Sequence, residues 1–134
     1  MNGVLMSLSR GAARLLCVLV LAAVPGSLRA QEQNTPYEQK LTRLSEVLGA
    51  MHHLRNICGA REGQLWRDQM IRLLDAEAPS PARRARLVRQ FNKGYQTYQR
   101  SYQTCTDSAN LEASKFASEG AILSQSLAFE RANY

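Results

Sequence analysis

The chain has 134 residues, of which 45% are hydrophobic and 21% are charged, and its formal net charge is +6. This length suffices for one domain with a single hydrophobic core and excludes two such domains. Three of the 17 basic residues and none of the 11 acidic residues lie in residues 1–30. The remaining chain has 14 basic and 11 acidic residues, or +3, and is only mildly basic.

Residues 1–30 have the three-part layout of a secretory signal peptide. Arg10 and Arg14 precede an apolar run from Leu15 to Val24, and a short polar stretch ends in Leu-Arg-Ala. The run is about half the roughly 20 residues that a membrane-spanning helix needs. We therefore predict export, a periplasmic or secreted location, cleavage after Ala30, and no transmembrane anchor after cleavage. An uncleaved signal anchor is the alternative.

Residues 31–134 are expected to form a single helical domain, with helices at about 36–58, 62–78, 81–105 and 107–131. Apolar residues of the first helix recur at helical spacing and predict one buried side: Leu41, Leu44, Val47, Leu48, Met51 and Leu54. Thr35 before Pro36 predicts the start of this helix, and Gly59 predicts its end. Since no stretch alternates like a strand, we predict an all-α, up-down four-helix bundle.

Two cysteines, Cys58 and Cys105, remain after residue 30. An exported protein enters an oxidising compartment, so we expect one disulfide that closes a loop of nearly fifty residues. Two free buried thiols are the alternative. In an up-down bundle the first and third helices run parallel, and both cysteines then lie at the same end of the domain. The helix order and the disulfide therefore support each other.

Several residues are candidates for ligand binding. Arg55 falls on the apolar side of the first helix, where a guanidinium is costly without a partner, and this indicates an anion or carboxylate pocket. The alternative is that its stem packs on the domain while its head reaches water or a partner such as Asp107. The other candidates are His52, at the border of the apolar side, and three tyrosines of the third helix that otherwise read as core residues: Tyr95, Tyr98 and Tyr102.

The sequence predicts no metal site, no cofactor and no catalytic residue. Met51, His52 and His53 cluster near Cys58, and such side chains bind copper or zinc. However, adjacent histidines point about 100° apart on a helix, and Cys58 is expected to be oxidised. Without a metal, we expect His52 to bond to a neighbouring helix and His53 to be exposed to solvent. No catalytic residue is expected, because a disulfide explains both cysteines and the acidic residues are scattered along the sequence rather than paired.

Two surfaces are candidates for partner binding. A basic stripe on the third helix would contact an anionic cell-envelope component or an acidic protein: Arg86, Arg89, Lys93 and Arg100. Nucleic acid is not expected, because aromatic residues do not alternate with these cations. On the fourth helix, Leu111, Ile122 and Phe129 share one side and indicate a partner surface or a homodimer. A solvated stripe and isolated apolar residues are the alternatives.

Four features together resemble a known family: LSEVLGAMHHLRNICG at 44–59, Trp66, FNKGY at 91–95, and the pair Cys105-Thr106. The family is one of small exported alphaproteobacterial proteins of unknown function. The resemblance implies a signal peptide and a disulfide between two well-separated cysteines, and it implies no activity. We therefore expect a non-catalytic binding or interaction module of the periplasm or cell envelope. The alternative is a carrier of a small ligand or metal, with a pocket near Arg55 and His52.

Overall fold

The computed structural model describes residues 35–133, so the predicted signal peptide lies outside the described residues. The part described contains four helices and no strand: α1 (Pro36–Ile57), α2 (Leu65–Glu77), α3 (Pro81–Ser101) and α4 (Asp107–Ala132). A disulfide joins Cys58 to Cys105. The predicted fold class, four helices with one disulfide, is confirmed.

Local sequence explains where these helices begin and end. Thr35 Oγ1 accepts a hydrogen bond from the Glu38 N–H at 3.2 Å, and Pro36 is the first helical residue. Ser80 and Thr106 cap α3 and α4 in the same way. After α1, Gly59 adopts a φ of 73°, which is unfavourable for residues with a Cβ, and this confirms its predicted role.

Helix α1 is the centre of the domain. It makes extensive contacts with α2, α3 and α4, which hardly touch one another. The sequence predicted one buried side, but this prediction was too narrow, because three helices surround α1. Small residues such as Ser45, Gly49 and Ala50 are buried beside the large apolar ones that form the core: Leu41, Leu44, Val47, Leu48, Met51 and Leu54.

The backbones of α1 and α3 meet at two glycines. A Cβ at Gly49 would lie 1.9 Å from the Phe91 carbonyl oxygen, and a Cβ at Gly94 would lie 2.0 Å from the Glu46 carbonyl oxygen. No side chain fits at either position without moving the helices apart. Glycine in the middle of a helix costs about 0.5–1 kcal/mol relative to alanine, and here it permits close helix packing. The sequence analysis did not identify this contact.

One end of the domain is held by a charged cluster to which all four helices contribute. Arg83 donates to Glu38 Oε1 and to Glu77 Oε2, with Nε and Nη2 each 2.7 Å from one of these oxygens. The other members are Arg86, which donates to Glu38, and Tyr37 and Arg131, which donate to Glu77. Burial alone would raise the pKa of Glu38, but the hydrogen bonds from Arg83 and Arg86 outweigh burial and lower it.

At the opposite end of the domain, the disulfide joins the chain after α1 to the chain after α3. The Cα atoms of Cys58 and Cys105 are 4.7 Å apart. Helix α3 ends at Ser101, earlier than the predicted residue 105, because Tyr102 is extended with a φ of −133°. This turn in the chain brings Cys105 to Cys58. Since Glu38 contacts Arg83 at one end and Cys58 bonds Cys105 at the other, α1 and α3 are parallel, as predicted.

Candidate functional site

A groove of about 470 Å³ lies between α2 and α3, with α1 beneath it. We call it the α2–α3 groove. It exists because α2 and α3 both pack on α1 but hardly touch each other. Sites of this size bind small molecules and parts of other proteins. The groove is lined by residues of three helices: His52, Arg67, Met70, Ile71, Leu74, Arg84, Val88, Phe91, Asn92 and Tyr95.

His52 reaches the groove from α1. Its ring centroid is 5.7 Å from that of Tyr95 and 6.1 Å from that of Phe91. Within the described chain, Nδ1 of His52 is buried and has no hydrogen-bond partner. Burial first, and then the charges of Arg67 and His53, lower the pKa of His52 below its ordinary value of 6.5. The ring is therefore neutral at pH 7. Among the described residues it packs on two aromatic rings of α3 and does not form the hydrogen bond to a neighbouring helix that the sequence analysis expected.

Two arginines give the groove a positive charge. Arg67 lies near the start of α2, and Arg84 lies in the first turn of α3. Both side chains line the groove, and neither forms an ion pair with any of residues 35–133. Arg84 is also unfavourably placed with respect to the dipole of α3, because the start of a helix disfavours cations. A negative group in the groove would stabilise both residues.

A second groove, of about 450 Å³, lies on the other side of α2, between α2 and α4. Its walls include Leu48, Leu65, Trp66, Phe116 and Gly120, and Arg72 is its one charged lining residue. Trp66 Nε1 donates to Glu62 Oε2 at 2.5 Å. This groove is therefore mainly apolar, whereas the α2–α3 groove combines apolar side chains with two arginines and a histidine.

The structure places Arg55 outside both grooves. Its Nε atom donates to Glu62 Oε1 at 3.1 Å and to Oε2 at 3.2 Å. This hydrogen bonding raises the pKa of Arg55 and lowers the pKa of Glu62. The suggested partner, Asp107, was the wrong carboxylate, because Glu62 lies only seven residues further along the turn that follows α1. A ligand-binding role for Arg55 stays a prediction.

His53 is not solvated, contrary to the prediction. Its side chain is buried, and its Nε2 lies 2.7 Å from the carbonyl oxygen of Tyr102. The extended residue after α3 supplies this partner, and a helical wheel drawn for α1 alone cannot show it. The ring of His53 also packs edge-on against Tyr95 at 5.5 Å. His53 is therefore a structural contact between α1 and the end of α3.

The three predicted tyrosines are divided between two sides of the molecule. Tyr95 lines the α2–α3 groove beside His52. Tyr98 and Tyr102 stack on each other at 6.2 Å, and Tyr98 packs edge-on against Phe116 of α4 at 5.0 Å. Burial is the main cause that raises the pKa of Tyr98. His52 and Tyr95 therefore form the part of the predicted ligand site that the structure brings together.

Three of the four residues of the predicted basic stripe lie together on the exposed side of α3: Arg89, Lys93 and Arg100. Lys93 Nζ is also 3.2 Å from Glu46 Oε1. Arg86 lies apart from them, since its Nη2 donates to Glu38 Oε2 at 2.7 Å. The exposed basic patch is thus smaller than the sequence indicated, and its binding to an anionic partner stays a prediction.

The apolar residues predicted on the outer side of α4 are exposed. Leu111, Ile122 and Phe129 have 57%, 67% and 71% of their surfaces accessible. Spacings of eleven and seven residues place them on one side of the helix. Their role in a partner surface or a homodimer stays a prediction.

The sequence contained a signal for the residues of the groove that were missed. Arg67 and Ile71 are four residues apart, as are Arg84 and Val88, so each arginine lies next to an apolar residue on a helix surface. Ile71 is 46% exposed and Val88 is 36% exposed. Two such pairs on neighbouring helices indicate a shared amphipathic surface, but the sequence alone does not show that the two surfaces face each other.

The sequence model of one protein family, Protein of unknown function (DUF2385), matches residues 36–130. The chain belongs to this family. The DUF2385 match begins at the first residue of α1 and ends within the last turn of α4, so it includes the whole α2–α3 groove. It confirms the resemblance to a family of unknown function. No curated protein and no solved structure matches the chain.

Proposed function

We propose that this protein is an exported helical domain that acts by binding a component of the periplasm or cell envelope, and that the α2–α3 groove is its binding surface. The observation that carries the proposal is the composition of that groove. In the described part of the chain, exposed apolar side chains lie between two arginines that form no ion pair, and the neutral ring of His52 lies beside them. A negatively charged partner would pair with the two arginines and cover the apolar side chains.

Export is supported by two independent features. Residues 1–30 have the pattern of a signal peptide, and disulfides such as Cys58–Cys105 persist in oxidising compartments. No helix within residues 35–133 is long and apolar enough to cross a membrane. Mass spectrometry of the protein recovered from its own cells tests this part. We expect a chain that begins at Gln31, and a cytoplasmic chain that begins at Met1 would contradict it.

A binding role, rather than a catalytic one, is supported by how the carboxylates are used. Glu38 and Glu77 come together through Arg83, which donates to both. Glu62 is held by Arg55 and Trp66. These carboxylates act as acceptors in structural ion pairs. The groove itself is lined by arginine, histidine and apolar side chains.

A photoreactive amino acid at position 88 tests the binding surface in living cells. Val88 lies in the groove, and Thr97, on the opposite side of the same helix, lies among the exposed basic residues and reports on that alternative surface. Nine residues separate them, which is about 180° around α3. We expect a discrete adduct from position 88 that is absent from position 97 and is lost when Ile71→Lys fills the groove with charge. Equal adducts at both positions, or none at position 88, would contradict the proposal.

A small-ligand carrier is the second candidate function, and the unpartnered Nδ1 of His52 favours it. A ligand hydroxyl or carboxyl would provide the missing hydrogen bond. In the described residues no group of three or more His, Cys, Asp or Glu side chains is arranged to hold a metal ion, and this favours an organic ligand. Native mass spectrometry of protein purified from its own cells would show an added mass if this function is correct. An unliganded mass would contradict this function. An added mass that is unchanged in His52→Leu would contradict it as well.

A further inference from the structure

The two arginines of the α2–α3 groove lie at opposite ends and on opposite walls. Helix α2 runs antiparallel to α3, since its last residue, Glu77, bonds Arg83 at the start of α3. Arg67, near the start of α2, therefore lies across from Asn92, beside the His52 on which its charge acts. Arg84 lies at the other end, eight residues before Asn92, or about 12 Å along the helix.

The surface between the arginines is apolar. Met70 and Leu74 are buried at the base of the groove, where they pack on the core residues of α1. Ile71 and Val88 remain exposed on its two walls. An occupant that matches this surface needs an apolar middle and a negative charge at each end. One negative charge has to face Arg67 on the α2 wall, and the other has to face Arg84 on the α3 wall.

We propose that the occupant is an amphipathic helix of a partner protein, with an apolar stripe and one acidic residue at each end of the stripe. Helices bind such grooves through apolar residues spaced by three, four and seven. Two acidic residues eight positions apart are about 12 Å apart along a helix and about 80° apart around it. They therefore lie on opposite flanks of the stripe, as Arg67 and Arg84 lie on opposite walls.

The proposal rests on the proposed function, because it names the partner of the same groove. A lipid or a fatty acid has one charged end and leaves one arginine unpaired. A second copy of the chain is less suitable, since three of the four acidic residues of α4 already have partners: Glu119 bonds Arg43, Glu130 bonds Lys40, and Glu112 bonds Lys115. The fourth, Asp107, lies alone at the start of the helix and could pair with only one of the two arginines. Charge complementarity therefore favours the partner helix.

The probe is a synthetic alanine-based helical peptide with a leucine stripe and two glutamates eight residues apart on its flanks. Its controls are the same peptide with both glutamates replaced by glutamine and the same peptide with both replaced by lysine. Binding is measured by fluorescence anisotropy with the full chain, expressed from Met1 and purified as the cell leaves it. We expect saturable binding of the glutamate peptide that weakens as salt is raised, because the ion pairs are partly screened.

Variants of the protein test whether Arg67 and Arg84 bind the two glutamates of the peptide. Arg67→Gln and Arg84→Gln should each weaken binding of the glutamate peptide roughly fivefold, and the double variant roughly 25-fold, if the two ends act independently. Arg61→Gln is the matched control: this exposed arginine also has no ion pair in the described chain and lines neither groove, so binding should not change. Changing both groove arginines to glutamate should transfer the preference to the lysine peptide.

Equal binding of the glutamate and glutamine peptides would overturn the proposal, as would no binding of either. Oleate whose binding is weakened by Arg67→Gln or by Arg84→Gln, while the peptide does not bind, would overturn it in favour of a lipid. A concentration-dependent dimer that Val88→Lys abolishes would overturn it in favour of a second copy. If the photoreactive residue at position 88 forms an adduct in cells but the glutamate peptide does not bind, the groove still binds a partner and only the proposal that this partner is a helix is wrong. If neither is seen, the proposed function fails as well.

Discussion

Helices α2 and α3 both pack on α1, but they are attached to it in different ways. Helix α3 is fixed at three levels: by Arg83 and Arg86 at one end, by a glycine contact in the middle, and by the disulfide at the other end. Helix α2 is shorter and makes fewer contacts with α1. It has an open groove on each side.

The difference separates a frame from the proposed binding surface. The α1–α3 pair is a rigid frame, because its three attachments act along its whole length. Helix α2 leaves room beside it, and this space is lined by His52 and by Arg67 and Arg84, which form no ion pair in the described chain. Binding surfaces are commonly formed beside elements of low local stability on a more stable scaffold. The predictions below test the frame first and then the groove.

Removing the disulfide should have the largest effect on stability. Cys58→Ser combined with Cys105→Ser opens a loop that spans a sequence separation of 47, and the chain-entropy model gives a loss of about 4 kcal/mol. Urea unfolding followed by circular dichroism measures this loss. A reducing agent should destabilise the wild-type protein by a similar amount and leave the double variant unchanged. A loss below about 1 kcal/mol would show that the disulfide is not part of the frame.

Gly49→Ala should be the next most harmful change. Its Cβ would lie 1.9 Å from the Phe91 carbonyl oxygen, so α1 and α3 have to separate, at a cost of about 3 kcal/mol. Gly120→Ala is the matched control, because its Cβ would meet Val47 Cγ1 at 3.4 Å. We expect that control to stay within about 1 kcal/mol of wild type, since both variants gain helix propensity. Equal effects in thermal unfolding would rule out the close backbone contact.

Glu38→Gln should cost about 2 kcal/mol, because it leaves Arg86 without its carboxylate partner in a mostly buried position while Arg83 keeps Glu77. Glu112→Gln removes an exposed pair with Lys115 and should cost less than about 0.5 kcal/mol.

The charged cluster also predicts a pH dependence. The pKa of Glu38 is lower in the folded protein than its ordinary value of 4.5, so its stabilising effect is complete above that value and is lost as the pH falls through the folded pKa. Stability profiles below pH 5 should be flatter for Glu38→Gln than for wild type. Parallel profiles would show that Glu38 does not carry the effect.

Protonation of His52 should have the smallest effect on the stability of the protein. Because His52 lines the α2–α3 groove, this pH dependence reports on the groove. Its pKa is lowered in the folded state, so the unfolded chain binds the proton more readily. Stability should therefore be complete above pH 6.5 and should fall as the pH decreases from 6.5 toward the folded pKa. His52→Leu should remove this part of the slope. His53→Leu is the comparison variant: it should destabilise the protein at every pH, since it loses the contact with the Tyr102 carbonyl.

The sequence was sufficient for the features that depend on local order and connectivity. Thr35, Pro36 and Gly59 predicted the ends of α1 because caps need only neighbouring residues. The parallel arrangement of α1 and α3 followed from the order of the helices and the positions of Cys58 and Cys105.

The sequence was insufficient where a contact depends on how helices are placed in space. His53 was expected to be solvated, but the extended Tyr102 brings a carbonyl to it. Gly49 and Gly94 were mid-helix glycines whose purpose appears only when the two backbones cross. The α2–α3 groove results from a missing contact between two helices, and periodicity within one helix does not predict which neighbours will be missing.

Native-state hydrogen exchange of the full chain tests the central claim most directly, because it reports local opening of each helix. We predict that amides of α2 between Arg67 and Leu74 exchange through a local opening, well before amides of α1 between Leu44 and Leu54 and of α3 between Leu87 and Tyr98. Amides of α2 that are as strongly protected as those of α1 and α3 would contradict the distinction between a fixed frame and a loosely held helix.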